Sequence, residues 1–229
     1  MNSYFIFKEI HSDDMVRVEN LPPIVKPPKR YNIKEIDGNN NIGITVNGYK
    51  AYEKAIKIWF KEDNVQDKLL QVMDWLDGAG ELILSNEPDK YYNAFILDQI
   101  DYERAIRYRT ATVKFLVQPY KYALYEEETT SRTVINQGNT NCLPLLKITG
   151  NGQIAVRING VQACNLLMVN QSIVLDGEEQ EAYKETKANL QNRIMIGKFP
   201  ELIPGINEIS FSGLGTVTDV KTLVRSRWL

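Results

Sequence analysis

His11 is the only histidine in the chain, so any Ser-His-Asp or Cys-His relay would have to run through it. Neither Cys142 nor Cys164 is close to it in sequence, and no Gly-x-Ser-x-Gly elbow supplies a serine nucleophile. One histidine and two distant cysteines are a poor supply of ligands for a zinc site. A Gly-x-x-x-x-Gly-Lys-Ser/Thr phosphate loop is absent. Gly213-Leu214-Gly215 lacks the third glycine of a dinucleotide fingerprint and runs into Thr216-Val217-Thr218, so it reads as a turn or bulge. Carboxylate pairs such as Asp98 with Asp101, or Asp176 with Glu178, have the residue types of a glycosidase. Asp176, Glu178 and Glu179 have those of a calcium site, without the regular loop spacing of an EF-hand. Such pairs arise freely among 29 acidic residues. Glu126, Glu127 and Glu128 are adjacent in a polar run and read as a solvated break. The residues define no catalytic set, metal site or cofactor site.

One constellation remains. Arg104, Arg107 and Arg109 interleave with Tyr102 and Tyr108, an alternation of charge and rings that a nucleic-acid stacking surface uses. The chain has 27 basic and 29 acidic residues, net −2, which is not the global basic charge that duplex DNA or anionic lipid selects. Arg104, Arg107, Tyr108 and Arg109 are therefore read as contacts to another subunit or a partner, with no specific nucleic acid and no membrane among the partners.

At 229 residues, 43% hydrophobic and 24% charged, the chain has the composition of a globular protein and the length of two domains. Cys142 and Cys164 lie among apolar residues and read as reduced, structural thiols. The opening apolar run, Tyr4 to Phe7, is too short for a signal-peptide core, and no later run is long enough to cross a membrane. Synthesis in a cytoplasm is expected.

Residues 21–30 hold four prolines and predict a semi-rigid connector. Asp37-Gly38 and Asn47-Gly48 then break apolar alternations with turn chemistry. Val65, Leu69, Val72 and Leu76 form a helical stripe, widened by Met73 and Trp75. Asp63 or Asn64 is placed to cap it, and Asp77-Gly78 to stop it. This predicts one major helix lying on a sheet. From Glu81 onward the pattern is β, with a long strand expected from Tyr102 to Tyr120. Within it Val113, Phe115 and Val117 share one face while Ile106 and Tyr108 have the opposite parity, so a bulge or a new packing partner is required. The run at Glu126 marks a domain boundary, giving domains 1–128 and 129–229. Turn signals at Asn151-Gly152, Asn159-Gly160, Asp176-Gly177 and Pro204-Gly205 predict an antiparallel β-sandwich in the second, with one weakly helical piece from Glu178 to Leu190.

Several motifs in order resemble the distal tail (Dit) family of long-tailed phages. They are Phe5-Ile6-Phe7 through Met15, Leu21-Pro22-Pro23, Trp75-Leu76-Asp77-Gly78, Pro88 to Ala94, Ile100 to Arg104, Ala111 to Phe115 and Gln118-Pro119-Tyr120. Asn136-Gln137-Gly138, Pro144, Leu175-Asp176 and Pro204-Gly205-Ile206-Asn207 extend the resemblance to the second half. It implies a mainly β fold: an α+β N-terminal domain with one major helix on an antiparallel sheet, and a C-terminal galectin-like antiparallel β-sandwich. It also implies a non-enzymatic structural virion protein that forms a ring, usually hexameric, joining the tail tube to the tail tip or baseplate. The implied partners are copies of itself, the major tail tube protein, a tail-associated hub or fibre protein and a receptor-binding protein. The implied location is the virion tail, assembled in the host cytoplasm. The residues leave two rivals: a carbohydrate-binding module using aromatics of the second domain (Tyr183, Phe199, Phe211, Trp228), and a glycosidase.

Overall fold

A computed structural model describes residues 3–34, 42–61, 65–97 and 102–229. The chain divides into two compact units, Met1–Lys121 with Leu229, and Tyr122–Trp228. Both are predominantly antiparallel β.

The first unit contains β1 (Phe5–Phe7), β2 (Ile10–His11), α1 (Ser12–Met15), β3 (Arg17–Asn20), β4 (Lys29–Lys34), β5 (Gly43–Tyr49), β6 (Tyr52–Trp59), α2 (Val65–Trp75), β7 (Gly78–Leu84), β8 (Glu87–Ile96), α3 (Tyr102–Tyr108) and β9 (Thr110–Ala123). Its main sheet runs β2-β1-β7-β8-β9-β6-β3, while β4 and β5 pair only with each other. Strict alternation sets the buried face. On β6, Lys54, Ile56 and Ile58 point inward, and on β9, Ala111, Val113, Phe115 and Val117 do. The α2 stripe of Leu69, Val72, Trp75 and Leu76 is buried in the same core. Trp75 stacks on Phe5 with ring centres 5.3 Å apart, and its indole N–H donates to the Phe7 carbonyl at 2.8 Å. Phe5 and Phe7 both meet Phe115 edge-on. These contacts hold the helix to the centre of the sheet.

The expected strand from Tyr102 to Tyr120 is corrected. Its first seven residues are α3, and the strand begins at Thr110. Glu, Arg and Ala are good helix formers, so the parity change marks a change of element and no bulge is needed. Arg109, at φ 56°, makes the switch. α1 and α3 are short helices additional to the major one. The caps expected at Asp63 or Asn64, the Asp37-Gly38 turn and the Asp98–Asp101 pair lie outside the described residues. Asn47-Gly48 is inside β5, where Gly48 at φ 106° sits beside a register shift, so it forms an irregularity in a strand in place of the expected turn.

The second unit contains β10 (Thr133–Asn136), β11 (Leu145–Ile158), β12 (Val161–Asp176), β13 (Glu181–Tyr183), β14 (Met195–Gly197), β15 (Gly205–Ser212), β16 (Thr216–Leu223) and β17 (Arg227–Trp228). The sheet order is β10-β15-β11-β12-β13, with β14 on β12 and β16 on β11. One edge of β11 is shared: residues 155–158 pair with β15 and 145–151 with β16. That sharing bends one long strand across two groups of partners and encloses the core of Leu146, Ile148, Ile154, Val156, Leu166 and Leu175. Asn151-Gly152 lies inside β11 at a bulge, so β11 runs through the expected turn. Asn159-Gly160 is a true two-residue turn between β11 and β12. The expected helical piece from Glu178 to Leu190 is instead turns and β13, with a single 3-10 turn following at Asn192–Ile194.

Candidate interaction surfaces

The β4–β5 hairpin is the feature that stands apart from both cores. Tyr31 is opposite Val46 and Ile33 opposite Ile44, whereas Asn32 is opposite Thr45 and Lys34 opposite Gly43. Residues facing each other across strands share a face, so one face carries Tyr31, Ile33, Ile44 and Val46 and the other is polar. Those four apolar side chains are 51–64% exposed. An isolated two-stranded hairpin is marginal in water, and this one holds its apolar face outward. Its base is tied down: Lys50 N–H donates to the Pro28 carbonyl at 2.8 Å, and Tyr49 meets Tyr120 edge-on. Sequence reading registered the alternation and not its exposure, because alternation gives a face without saying what covers it.

The proline segment leading to the arm is strapped to the main sheet. Asn86 Nδ2 donates to the Pro22 carbonyl at 3.3 Å and Lys54 Nζ to the Pro23 carbonyl at 3.3 Å. Lys54 is 2% exposed. Its ammonium lies 4.9 Å from the Tyr92 ring centre, close to a buried ion pair of Lys121 with Glu87. Tyr92 Oη donates to Glu87 Oε2 at 2.7 Å. Burial pushes the Lys54 pKa down, Glu87 works against that push, and Lys121 adds to it. Burial, then the Glu87 carboxylate, pushes the Tyr92 phenol well above its ordinary value. The cluster buries two ammonium groups around one carboxylate.

Of the residues singled out for contact, Arg107 and Tyr108 are exposed on α3, with the Arg107 guanidinium 5.4 Å from the Tyr108 ring centre. Arg109 is half-buried at the junction, and its carbonyl accepts from Phe60 N–H. The Arg104 side chain lies outside the described residues. Ile106 is exposed beside them, while Ala105 is buried and seats the helix. Leu70, on the neighbouring α2, is also exposed.

The candidate chemical groups are occupied in structural work. His11 Nδ1 accepts from Asp13 N–H, capping α1, and its ring stacks on Tyr4. A cleft of about 580 Å³ lies beside them. Of its polar lining, Ser85 Oγ accepts from Tyr4 N–H and Asn86 holds Pro22. Asp176 pairs with Arg225 through both oxygens, at 2.6 and 3.3 Å, and caps Glu178 and Glu179 N–H. Burial would raise its pKa, but Arg225 and those amides together hold it below the usual carboxylate range. Glu126 accepts from Ser226 N–H, and Glu128 pairs with Lys147. Cys142 and Cys164 are free and buried, and burial pushes both thiols up to about 12. Among the described residues no cluster of His, Cys, Asp and Glu is arranged to hold a metal, and no helix is long and apolar enough to cross a membrane. In the second unit Tyr183, Phe199, Phe211 and Trp228 are half-buried, and the exposed ring is Tyr125.

Gly138, in one of the motifs that carry the resemblance, has a backbone reason. A Cβ there would stand 2.0 Å from the Arg227 carbonyl oxygen, so only glycine lets the two backbones approach.

The architecture as a whole is that of a solved phage tail hub protein. The chain superposes end to end on the crystal structure of SPP1 Dit, described as a hub adsorption apparatus of phages infecting Gram-positive bacteria. The TM-score is 0.72, with 15% identity and 100% of each chain covered. It also matches a chain of the phage P2 baseplate in its activated, calcium-bound conformation, at a TM-score of 0.53, 10% identity and 97% coverage of each chain. No protein-family model and no curated protein sequence matches. At these identities the likeness establishes the fold.

Proposed function

We infer that this chain is a structural component of a phage tail, a distal tail hub that closes into a ring between the tail tube and the baseplate. The observation that carries the reading is the end-to-end likeness to a Dit fold, both units in order, in a chain whose sequence motifs independently resemble that family. Fold likeness alone does not assign function. The reading gains support from surfaces that need covering: an amphipathic arm with its apolar face outward, and a helix layer presenting Leu70, Ile106 and Tyr108. Ring closure joins one patch to a different patch on the next subunit. Six copies per ring is the expected number. The tail tube protein docks on one side, a tail-associated hub protein on the other, and receptor-binding components at the periphery on the galectin-like second unit. The location is the virion tail, after assembly in the host cytoplasm, and no reaction is catalysed.

The carbohydrate-binding alternative gains no support from the second unit, whose lone exposed ring is a poor stacking platform. Gold labelling of tails assembled with an epitope-tagged copy tests the proposal. Label at the distal end of the tube is expected, and tails that mature without incorporating the chain contradict it. Arg107→Glu with Arg109→Glu tests the α3 contact and is expected to weaken self-association, read as subunit mass by light scattering.

A further inference from the structure

Asparagine followed by glycine occurs at Asn47-Gly48, Asn151-Gly152 and Asn159-Gly160. A glycine nitrogen has no neighbouring Cβ to screen it, so it is the least hindered backbone group that an asparagine side chain can meet. In the second unit both such asparagines are tied to a neighbouring strand. Asn151 Oδ1 accepts from Gln171 N–H at 2.9 Å, from β11 across to β12. Asn159 is held at both ends of its amide: Nδ2 donates to Asn207 Oδ1 at 3.0 Å, and Oδ1 accepts from Glu208 N–H at 2.8 Å. Asn47 is different. It is exposed in the arm, and its side chain has no hydrogen-bond partner among the described residues. Its main-chain carbonyl accepts from Arg30 Nε and Nη2, at 3.3 and 3.1 Å. Lys29 is opposite Tyr49 and Tyr31 opposite Val46, so Asn47 and Gly48 together face Arg30 alone. That arrangement is a bulge, and it sets the guanidinium on the peptide group that joins Asn47 to Gly48.

We propose that Asn47 is a site of spontaneous deamidation with Arg30 as its activating group, and that the fold protects Asn151 and Asn159. As the Gly48 N–H ionises, negative charge spreads onto the Asn47 carbonyl oxygen, where the guanidinium already donates two bonds. The Gly48 nitrogen then bonds to Asn47 Cγ and the Cγ–Nδ2 bond breaks. The side-chain nitrogen leaves as ammonia, taking up the proton that Gly48 lost, and a succinimide closes. Water opens that ring. Attack at Cγ gives aspartate, and attack at the main-chain carbonyl gives isoaspartate, with one ammonia lost, one water gained and no change of oxidation state. The hairpin lacks core contacts, so local opening brings the side chain onto Gly48 without unfolding either core. The aspartyl product places a carboxylate beside Arg30. The isoaspartyl product adds its extra main-chain carbon at the bulge, where the ladder is already interrupted. Newly made and aged chains thus differ in the charge and the backbone of the arm.

The purified full-length chain, held at mildly alkaline pH and sampled over days, is digested and mapped by mass spectrometry. The peptide containing Asn47 is expected to gain about 1 Da and to split into aspartyl and isoaspartyl forms. Its rate should exceed those at Asn151 and Asn159 by about 10-fold or more. Silence at Asn47, or equal rates at the three sites, would overturn the proposal. Arg30→Gln keeps a hydrogen-bond donor without the charge. It is expected to slow the reaction at Asn47 about 10-fold and to leave the other two sites unchanged, and Arg30→Lys to restore part of the rate. An unchanged or raised rate in Arg30→Gln would overturn the activation, since a residue that only braced the hairpin would speed the reaction when lost. In urea the three sites are expected to react alike, and a difference that persists there would overturn protection by the fold.

Discussion

Asp176 and Glu87 are both buried carboxylates, and the molecule stabilises them by different means. Asp176 is held by the Arg225 fork and two backbone amides, which outweigh burial and depress its pKa. A depressed carboxylate contributes stability above its unfolded pKa, about 3.9, and that contribution is lost as pH falls through the folded value. Arg225→Ala leaves the charge buried and is expected to cost about 3 kcal/mol at pH 7. In urea unfolding the difference from wild type should shrink toward pH 2, and a pH-independent difference contradicts the pairing. Glu87 instead pairs with Lys121, and its charge also acts on the buried Lys54. Glu87→Gln leaves Lys54 and Lys121 buried without their counter-charge, at a cost of about 3–5 kcal/mol. Lys54→Met removes the surplus charge and loses the bond to the Pro23 carbonyl and the ammonium's contacts with the Tyr52 and Tyr92 rings, so it should fall within about 2 kcal/mol of wild type. Equal unfolding midpoints for these two variants would show that Lys54 is not the surplus cation.

The elements differ in how far the sequence reveals them. The α2 stripe was legible because its period and its stop signal at Asp77-Gly78 agree, and Gly78 has the positive φ that signal requires. The run from Tyr102 to Arg109 misled, since two parities read as one bent strand also fit a helix followed by a strand. Seven residues are too few for periodicity to separate the two. In the second unit the long strands β11 and β12 run through positions that resemble turns, because a Gly inside a bulge carries the same local signal as a Gly in a turn. The arm was legible as alternation, but its detachment from the core depends on tertiary placement. An element without core contacts opens locally more easily. Hydrogen exchange on the dilute chain carrying Ile33→Asp and Ile44→Asp should therefore show β4 and β5 exchanging far faster than β6 and β9. In assembled wild type, β4 and β5 should become protected. Fast exchange there in both samples contradicts a covered arm.

At the scale of the molecule, two β units on one chain separate two tasks: the first carries the arm and the helix layer, and the second encloses its own core. The sequence break at Glu126 lies inside the second compact unit, which begins at Tyr122. Glu126 holds Ser226 N–H, and Ala123 N–H donates to the Ser226 carbonyl. A fragment of residues 122–229 should thus be more stable than one of 129–229, by about 1–3 kcal/mol for the charge-assisted bonds lost. Equal stability would show that residues 122–128 are a linker. The most direct test of the account is the mass distribution of the purified full-length chain by native mass spectrometry across a concentration series. One discrete closed assembly, six copies, is expected to dominate as concentration rises. A monomer at every concentration, or a ladder that lengthens without closing, would contradict it.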